Sequence, residues 1–117
     1  MHDFQKLIIW QKSMEITEDI YRLSAELPKE KKYGLTSQIK RSAVSVPSNI
    51  AEGAGRNTDR EFKNFLGIAS GSANELLTQL ILSHRLDLVS EKVVEPILSK
   101  LIEVQKINYS LIKKFTK

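Results

Sequence analysis

The chain has 117 residues and no cysteine, which suits one domain and excludes disulfides, zinc–thiolate sites and thiol nucleophiles. Its net charge of +4 is a modest basic excess, which permits an anionic partner without requiring one. The longest unbroken apolar run, Leu7–Trp10, has four residues, whereas a bilayer span needs about 20. The amino terminus also lacks the layout of a signal peptide. We therefore expect a cytoplasmic protein with no membrane partner.

Four helices are predicted, at approximately residues 5–27, 34–54, 59–86 and 91–115, within a single domain of residues 1–117. The prediction rests on apolar residues that recur at steps of three and four, which places them on one face of each helix. In chain order these stripes are Ile16, Ile20, Leu23 and Leu27; then Leu35, Ile39, Ala43, Val46, Ile50 and Gly53; then Phe62, Leu66, Ala69, Ala73, Leu76 and Leu80; and finally Val94, Ile97, Leu101, Val104, Leu111 and Phe115, interrupted by Asn108. Four helices with short connections predict an all-α, antiparallel up-down four-helix bundle.

Proline and glycine mark the ends of the first two helices. Pro28 is predicted to end the first helix, because proline biases the preceding residue away from helical geometry. Pro47 lies inside the second stripe and predicts a kink, since the periodicity resumes at Ile50. Gly53 and Gly55 are predicted to adopt positive φ and so to close the second helix.

The third helix has the clearest start and an unusual middle. Thr58 and Glu61 fit a capping box, in which the hydroxyl accepts from the Glu61 amide and the carboxylate reaches back. Ser90 is the predicted N-cap of the fourth helix. The residues of 67–73 are nearly all small, which allows a neighbouring helix to come close. The segment Leu76–Leu82 is apolar on more than one face, so either this helix is the most buried one or its outer side contacts another subunit.

No catalytic constellation is evident in the sequence. His2 lies at a terminus expected to be mobile, and His84 has no identifiable partner for a triad, so a packing or capping role is expected. The Glu-x-x-His pairs of metal-binding bundles are absent, and no arginine is followed at short range by histidine as in some helical ribonucleases. Gly53 and Gly55 lack the lysine of a phosphate-binding loop. We expect no enzymatic activity, no metal and no cofactor.

Polar residues close to the apolar stripes of the second and third helices predict an internal hydrogen-bond network. Buried polar groups need partners, because an unsatisfied one costs about 1–3 kcal/mol. In this network Asn49 or Glu52 bonds across to Ser72 or reaches Arg56, and Glu75 lies nearby. The role that we favour over a ligand site is to fix the register of the helices.

The basic excess is concentrated in two segments. Residues 28–63 hold eight basic and four acidic side chains, and residues 106–117 hold four basic and no acidic ones. Clustered cations are typical of phosphate binding, although lysines near helix ends can also be simply solvated. No interleaved aromatic platform for stacked bases is evident, so base-specific reading is not predicted. The candidate phosphate contacts are Lys40, Arg41, Arg56, Arg60, Lys63, Lys113 and Lys114, with Lys113 and Lys114 as auxiliary contacts.

Two blocks of the sequence resemble a known family. The first block is LTSQIKRSA (35–43) continued by VPSNIAEG (46–53) and Arg56, and the second is FKNFLGIASGSANEL (62–76). Trp10, Tyr21, Leu23, Leu27-Pro28 and Tyr33-Gly34-Leu35 also agree. Together they resemble the four-helix-bundle proteins encoded in intervening sequences of bacterial 23S ribosomal RNA genes, over nearly the whole chain.

This resemblance implies a bundle that assembles as a homopentamer and has no established enzymatic activity. The family is also similar to the accessory variability determinant of diversity-generating retroelements, which binds nucleic acid and a reverse transcriptase. The implied partners are therefore further copies of the chain and RNA or DNA, since five copies would repeat each basic patch around a ring. The alternative is a scaffold that binds another protein through its apolar outer surface, and a nuclease is the weakest reading.

Overall fold

The computed structural model describes residues 2–27 and 32–116, and their regular structure is entirely helical. Four long helices, α1 (Ile8–Ala25), α2 (Ser37–Ala54), α3 (Asp59–Arg85) and α4 (Glu91–Lys114), form a body of 45 × 21 × 20 Å. Both α1 and α3 pack against α2 and against α4, so the four helices enclose one core. None of the described helices combines the length and the apolar character that crossing a bilayer demands.

The first two helices begin later than the sequence predicts, because each is preceded by a separate turn. Phe4–Lys6 form a 3-10 turn whose start is capped by the Asp3 carboxylate, which accepts from the Gln5 amide at 3.2 Å. Leu7 is extended and separates this turn from α1. Lys32–Thr36 form a π-helical turn before α2. The predicted stop at Pro28, and the basic residues Lys29, Lys31 and Lys117, lie outside the described residues.

The predicted caps of α3 and α4 are confirmed. The Thr58 hydroxyl accepts from the Glu61 amide at 3.2 Å, and the Ser90 hydroxyl accepts from the Val93 amide at 3.3 Å. One detail of the capping box differs from the prediction. The Glu61 carboxylate accepts from the Thr58 hydroxyl at 3.1 Å, so the return bond runs between the two side chains.

The predicted apolar stripes form the core. Nearly all of their members are buried, and Leu35, Leu111 and Phe115 pack half-buried at the margin. Asn108, which interrupts the last stripe, is also buried, and its Nδ2 donates to the Leu66 carbonyl at 2.8 Å.

An ion pair on the surface joins α1 to α4, between Lys12 of α1 and Glu103 of α4. The hydrogen bond and charge of Glu103 raise the pKa of the Lys12 ammonium.

Gly53 allows close packing of α2 against α3, and the prediction that it adopts a positive φ is wrong. Both Gly53 and Gly55 have negative φ, and α2 runs through Pro47 and Gly53 to Ala54. A Cβ atom on Gly53 would lie 2.6 Å from the Phe65 Cβ and 3.0 Å from the Phe62 Cδ1. The α2 backbone therefore lies directly against two phenylalanines of α3, and a side chain at this position has no room.

The apolar residues of α3 divide into buried ones and exposed ones. Leu76 and Leu80 are fully buried, whereas Ile68, Ile81 and Leu82 are 42–51% exposed. The small residues divide in the same way. Ala69, Ser72 and Ala73 are buried, while a Cβ on Gly67 or Gly71 would meet nothing within 4 Å. The outer side of α3 is therefore uncovered in a single chain.

Candidate nucleic-acid interface

Five of the predicted phosphate contacts lie at one end of the molecule, which we call the basic end: Arg56, Arg60, Lys63, Lys113 and Lys114. Arg56 follows α2, Arg60 and Lys63 lie in the first turns of α3, and the two lysines form the last turn of α4. The rings of Phe62 and Phe115, which lie 5.2 Å apart, join these segments. Two segments that are distant in the sequence thus supply cations to one end of the bundle.

The amino terminus completes the same end, contrary to the expectation that His2 is mobile. The His2 amide donates to the Ala54 carbonyl at 2.7 Å. Its ring lies 5.0 Å from that of Phe62 and 5.9 Å from that of Phe115. His2 is held because the aromatic pair at the end of α3 and α4 offers a surface on which the imidazole packs.

Two cations of the basic end are positioned by aromatic rings. The Arg56 guanidinium lies 4.8 Å from the centre of the Phe65 ring, and the Lys114 ammonium lies 5.9 Å from the centre of the Phe115 ring. A cation over a ring face is restrained without losing its charge. Arg56 also donates to Glu52 at 2.8 Å, but both side chains are half-exposed, and such a pair contributes about 0–1 kcal/mol.

Carboxylates moderate the potential of the basic end. Asp59 and Glu61 lie in the first turn of α3, where they complement the helix dipole. Glu61 accepts from the Thr58 hydroxyl, and Glu52 accepts from Arg56. These contacts leave Arg60 and Lys63 as cations that make no ion pair with another described residue.

Lys40 and Arg41 do not belong to this end. They lie in the first turns of α2, and about 20 Å of helix, at 1.5 Å per residue, separates Arg41 from Ala54, which ends α2 two residues before Arg56. The Lys40 ammonium lies 5.2 Å from the centre of the Tyr21 ring on α1. The sequence prediction grouped Lys40 and Arg41 with Arg56 because the three residues share one chain segment, whereas the length of α2 separates them in space.

The polar network between α2 and α3 is formed through a residue outside the predicted set. Asn49 Nδ2 donates to the Ser45 carbonyl at 2.8 Å and to Ser45 Oγ at 3.0 Å. The hydroxyls of Ser45 and Ser72 share a hydrogen bond of 2.7 Å. Ser45 therefore links Asn49 to Ser72, in place of the direct contact that was predicted. Glu75 is exposed and makes no hydrogen bond with a described residue; it lines a groove beside Leu35 and Gln38.

His84 serves the turn between α3 and α4. Its Nδ1 donates to the Val89 carbonyl at 3.2 Å, across a turn in which Asp87 has a φ of 61°. This contact agrees with the capping role expected from the sequence. Within residues 2–27 and 32–116, no group of three or more His, Asp or Glu side chains is arranged to hold a metal ion.

A groove between α3 and α4, which we call the α3–α4 groove, was missed by the sequence analysis. It has a volume of about 610 Å³, and it is lined by Ser70, Asn74, Leu77, Ile102, Gln105, Lys106, Tyr109 and Ser110. Gln105 Nε2 crosses its floor to the Ser70 carbonyl at 2.9 Å and to Asn74 Oδ1 at 3.0 Å. Tyr109 is 68% exposed at its edge. The signal that could have revealed it is the spacing of Lys106, Tyr109 and Lys113, which puts an aromatic ring between two cations on one helix face.

The fold and these surfaces define an all-helical protein with a charged and grooved exterior. The family model of the 23S rRNA-intervening sequence proteins matches residues 5–110. The chain belongs to this family, as its two sequence blocks indicated.

A solved structure gives the same result. The chain is similar to a protein of unknown function from the S23 ribosomal protein family of Bacteroides thetaiotaomicron VPI-5482. The identity is 31%, the TM-score is 0.85, and the alignment covers 91% of this chain and 99% of the other. Comparison with the curated proteins gives no match.

Proposed function

We propose that this chain is a non-catalytic, homo-oligomeric protein of the cytoplasm that binds nucleic acid, with RNA as the main ligand, through the phosphates. The observation that carries the proposal is the meeting of five cations from two distant chain segments at the basic end. Cations arranged in this way attract a phosphate backbone with little dependence on base sequence. The association of the family with a 23S rRNA intervening sequence supports RNA as the ligand.

The proposed architecture is an antiparallel up-down bundle that assembles into a pentamer. Three contacts between helical segments that follow one another in the chain support the up-down order: His2 with Ala54, Gly53 with Phe65, and Asn108 with Leu66. Each contact joins the start of one helix to the end of a helix that adjoins it in the sequence, as antiparallel packing requires. The exposed apolar residues of α3, namely Ile68, Ile81 and Leu82, support assembly, because an oligomer would cover them.

The placement of the histidines supports a non-catalytic role. His84 is engaged with the Val89 carbonyl, and His2 packs against two phenylalanines. Neither imidazole lies next to a nucleophile that it could activate, within the described residues. Binding alone is the activity that the remaining surface groups support.

The test measures binding of a fluorescein-labelled RNA hairpin by anisotropy at about 50 mM and about 200 mM salt. Arg60→Gln/Lys63→Gln removes two cations of the basic end that have no ion-pair partner. The matched control, Arg85→Gln/Lys92→Gln, removes two exposed cations near the α3–α4 turn, at the far end of α3. We expect weaker binding at low salt for the first variant and a salt slope lower by about 1.8, since each duplex phosphate contact contributes about 0.9.

The control variant should bind as the wild type does. Equal losses in both variants would show that only the net charge matters, and wild-type binding that is absent at low salt would refute the proposal. In that second case the alternative function is a scaffold for another protein, which is favoured by the exposed apolar residues Ile68, Ile81 and Leu82 of α3. A protein partner retained after nuclease treatment would then support it.

A further inference from the structure

We propose that the α3–α4 groove binds an unpaired base of single-stranded RNA, which stacks on Tyr109 while Lys106 and Lys113 contact the adjoining phosphates. This inference rests on the proposed function, because it assigns a second contact region to a protein that binds RNA. It adds recognition of unpaired bases to the phosphate contacts of the basic end.

The first support is the exposure of Tyr109. A tyrosine that is 68% exposed leaves most of one ring face open to solvent. A base stacked on such a face contributes substantially to single-strand binding, whatever its identity, because every base has a π-face. The groove beside the ring has about 610 Å³, which lies within the ~300–1,000 Å³ typical of ligand pockets.

The second support is the charge on both sides of the ring. Lys106, Tyr109 and Lys113 follow one another at steps of three and four, so the three side chains lie on one face of α4. Both lysines are exposed, and a phosphodiester precedes and follows each base of a strand. The nearby Glu103 carboxylate is engaged with Lys12 of α1 and so does not oppose an anion on this face.

The third support is the polar lining of the groove. Gln105 lines the groove, and its Nε2 donates to the Ser70 carbonyl at 2.9 Å and to Asn74 Oδ1 at 3.0 Å. These hydrogen bonds hold polar groups in the groove lined by Tyr109, where the polar edge of a base can lie.

This face also leads to the basic end. Lys113 belongs both to the face that carries Tyr109 and to the basic end, and about 6 Å of helix separates the two residues. A strand that follows α4 would therefore pass from the groove to Lys113 and Lys114. The arrangement fits RNA in which a paired stem adjoins an unpaired segment.

The experiment compares an oligouridylate of about 12 nucleotides with an abasic oligomer of the same length and charge, and a duplex RNA serves as the third probe. The variants are Tyr109→Ala, Tyr109→Phe and, as a matched control, Tyr21→Ala, which removes another exposed tyrosine from α1. For the wild type we expect tighter binding of oligouridylate than of the abasic oligomer. Tyr109→Ala should weaken oligouridylate binding about 5-fold or more and leave duplex binding unchanged.

The remaining variants and probes separate the possible outcomes. Tyr109→Phe should retain wild-type affinity because the ring is kept, and Tyr21→Ala should have no effect on oligouridylate. Equal affinity of the wild type for oligouridylate and the abasic oligomer would overturn the inference, while duplex binding would leave the proposed function standing. A change of oligomer mass in Tyr109→Ala, measured by light scattering, would show that a second copy covers the groove and would also overturn it.

Discussion

The two sides of α3 are built differently. On the side of α2, Gly53 brings the backbone against Phe62 and Phe65, and the hydroxyls of Ser45 and Ser72 meet at 2.7 Å. On the side of α4, larger side chains keep a groove of about 610 Å³ open. Small residues permit close approach of two helices, because the distance between helix axes depends on the side chains between them. The α2 side is therefore tightly packed around Gly53 and Ser45, although a groove of about 430 Å³ lies farther along it, beside Leu35 and Gln38, and the α4 side carries the larger groove.

This difference predicts that the α2 side tolerates substitution poorly. Gly53→Ala is expected to have the largest effect, because its Cβ would lie 2.6 Å from the Phe65 Cβ, an atom close to the α3 backbone. The two helices must separate to accept it, and overpacking of this kind costs about 1–3 kcal/mol. Urea denaturation followed by circular dichroism, at one fixed protein concentration, measures the loss.

The matched control for this prediction is Gly67→Ala on the outer side of α3. A Cβ there meets nothing within 4 Å, and alanine favours a helix over glycine by about 0.5–1 kcal/mol. Gly67→Ala should therefore raise the free energy of unfolding. A decrease in the free energy of unfolding for Gly53→Ala and an increase for Gly67→Ala would confirm that the two sides of α3 differ. A loss of stability in Gly67→Ala would instead show that another subunit packs on this face.

A smaller effect is expected from the hydroxyl pair between α2 and α3. Ser72→Ala removes a hydrogen bond at a position that is 8% exposed and leaves Asn49 as the remaining side-chain partner of Ser45 Oγ, at a cost of about 1 kcal/mol. Ser48→Ala, an exposed serine of the same α2 helix, should change stability by no more than about 0.5 kcal/mol. A double-mutant cycle of Ser45→Ala and Ser72→Ala measures their coupling, and a coupling of zero would contradict the network.

Much of the fold followed from the sequence because it depends on local periodicity. The steps of three and four found the core residues, and the caps at Thr58 and Ser90 were recognised from residue types alone. The reason for Gly53 was not found. Glycine in a sequence suggests unusual φ, whereas here it makes room for Phe65, and a contact between helices is not visible in the spacing of either one.

The candidate sites were harder to predict because they combine residues across space. Counting charges by chain segment placed Arg41 with Arg56, although a rigid helix separates them. The same method took Arg60 and Lys113 as candidates from two separate segments, and it did not show that they share an end, which follows from the packing of Phe62 against Phe115. Tyr109 was overlooked because aromatic residues were sought along the chain, and its relation to the lysines on either side exists only on a helix face.

The smallest effect is expected at Asn108, on the side of α3 that faces α4. Its Nδ2 donates to the Leu66 carbonyl, but its buried Oδ1 has no donor among the described residues. On folding, the side-chain amide therefore keeps one hydrogen bond and loses the one that its oxygen makes with water. Asn108→Leu removes both groups and fills a similar volume, so the loss of one hydrogen bond, about 0.5–1.5 kcal/mol, is offset by removal of the unsatisfied oxygen and by added apolar burial. We therefore expect a change within about 1 kcal/mol by urea denaturation. A larger loss would mean that Oδ1 has a partner, such as a bound water, and that the α4 side is specified by polar contacts as firmly as the α2 side.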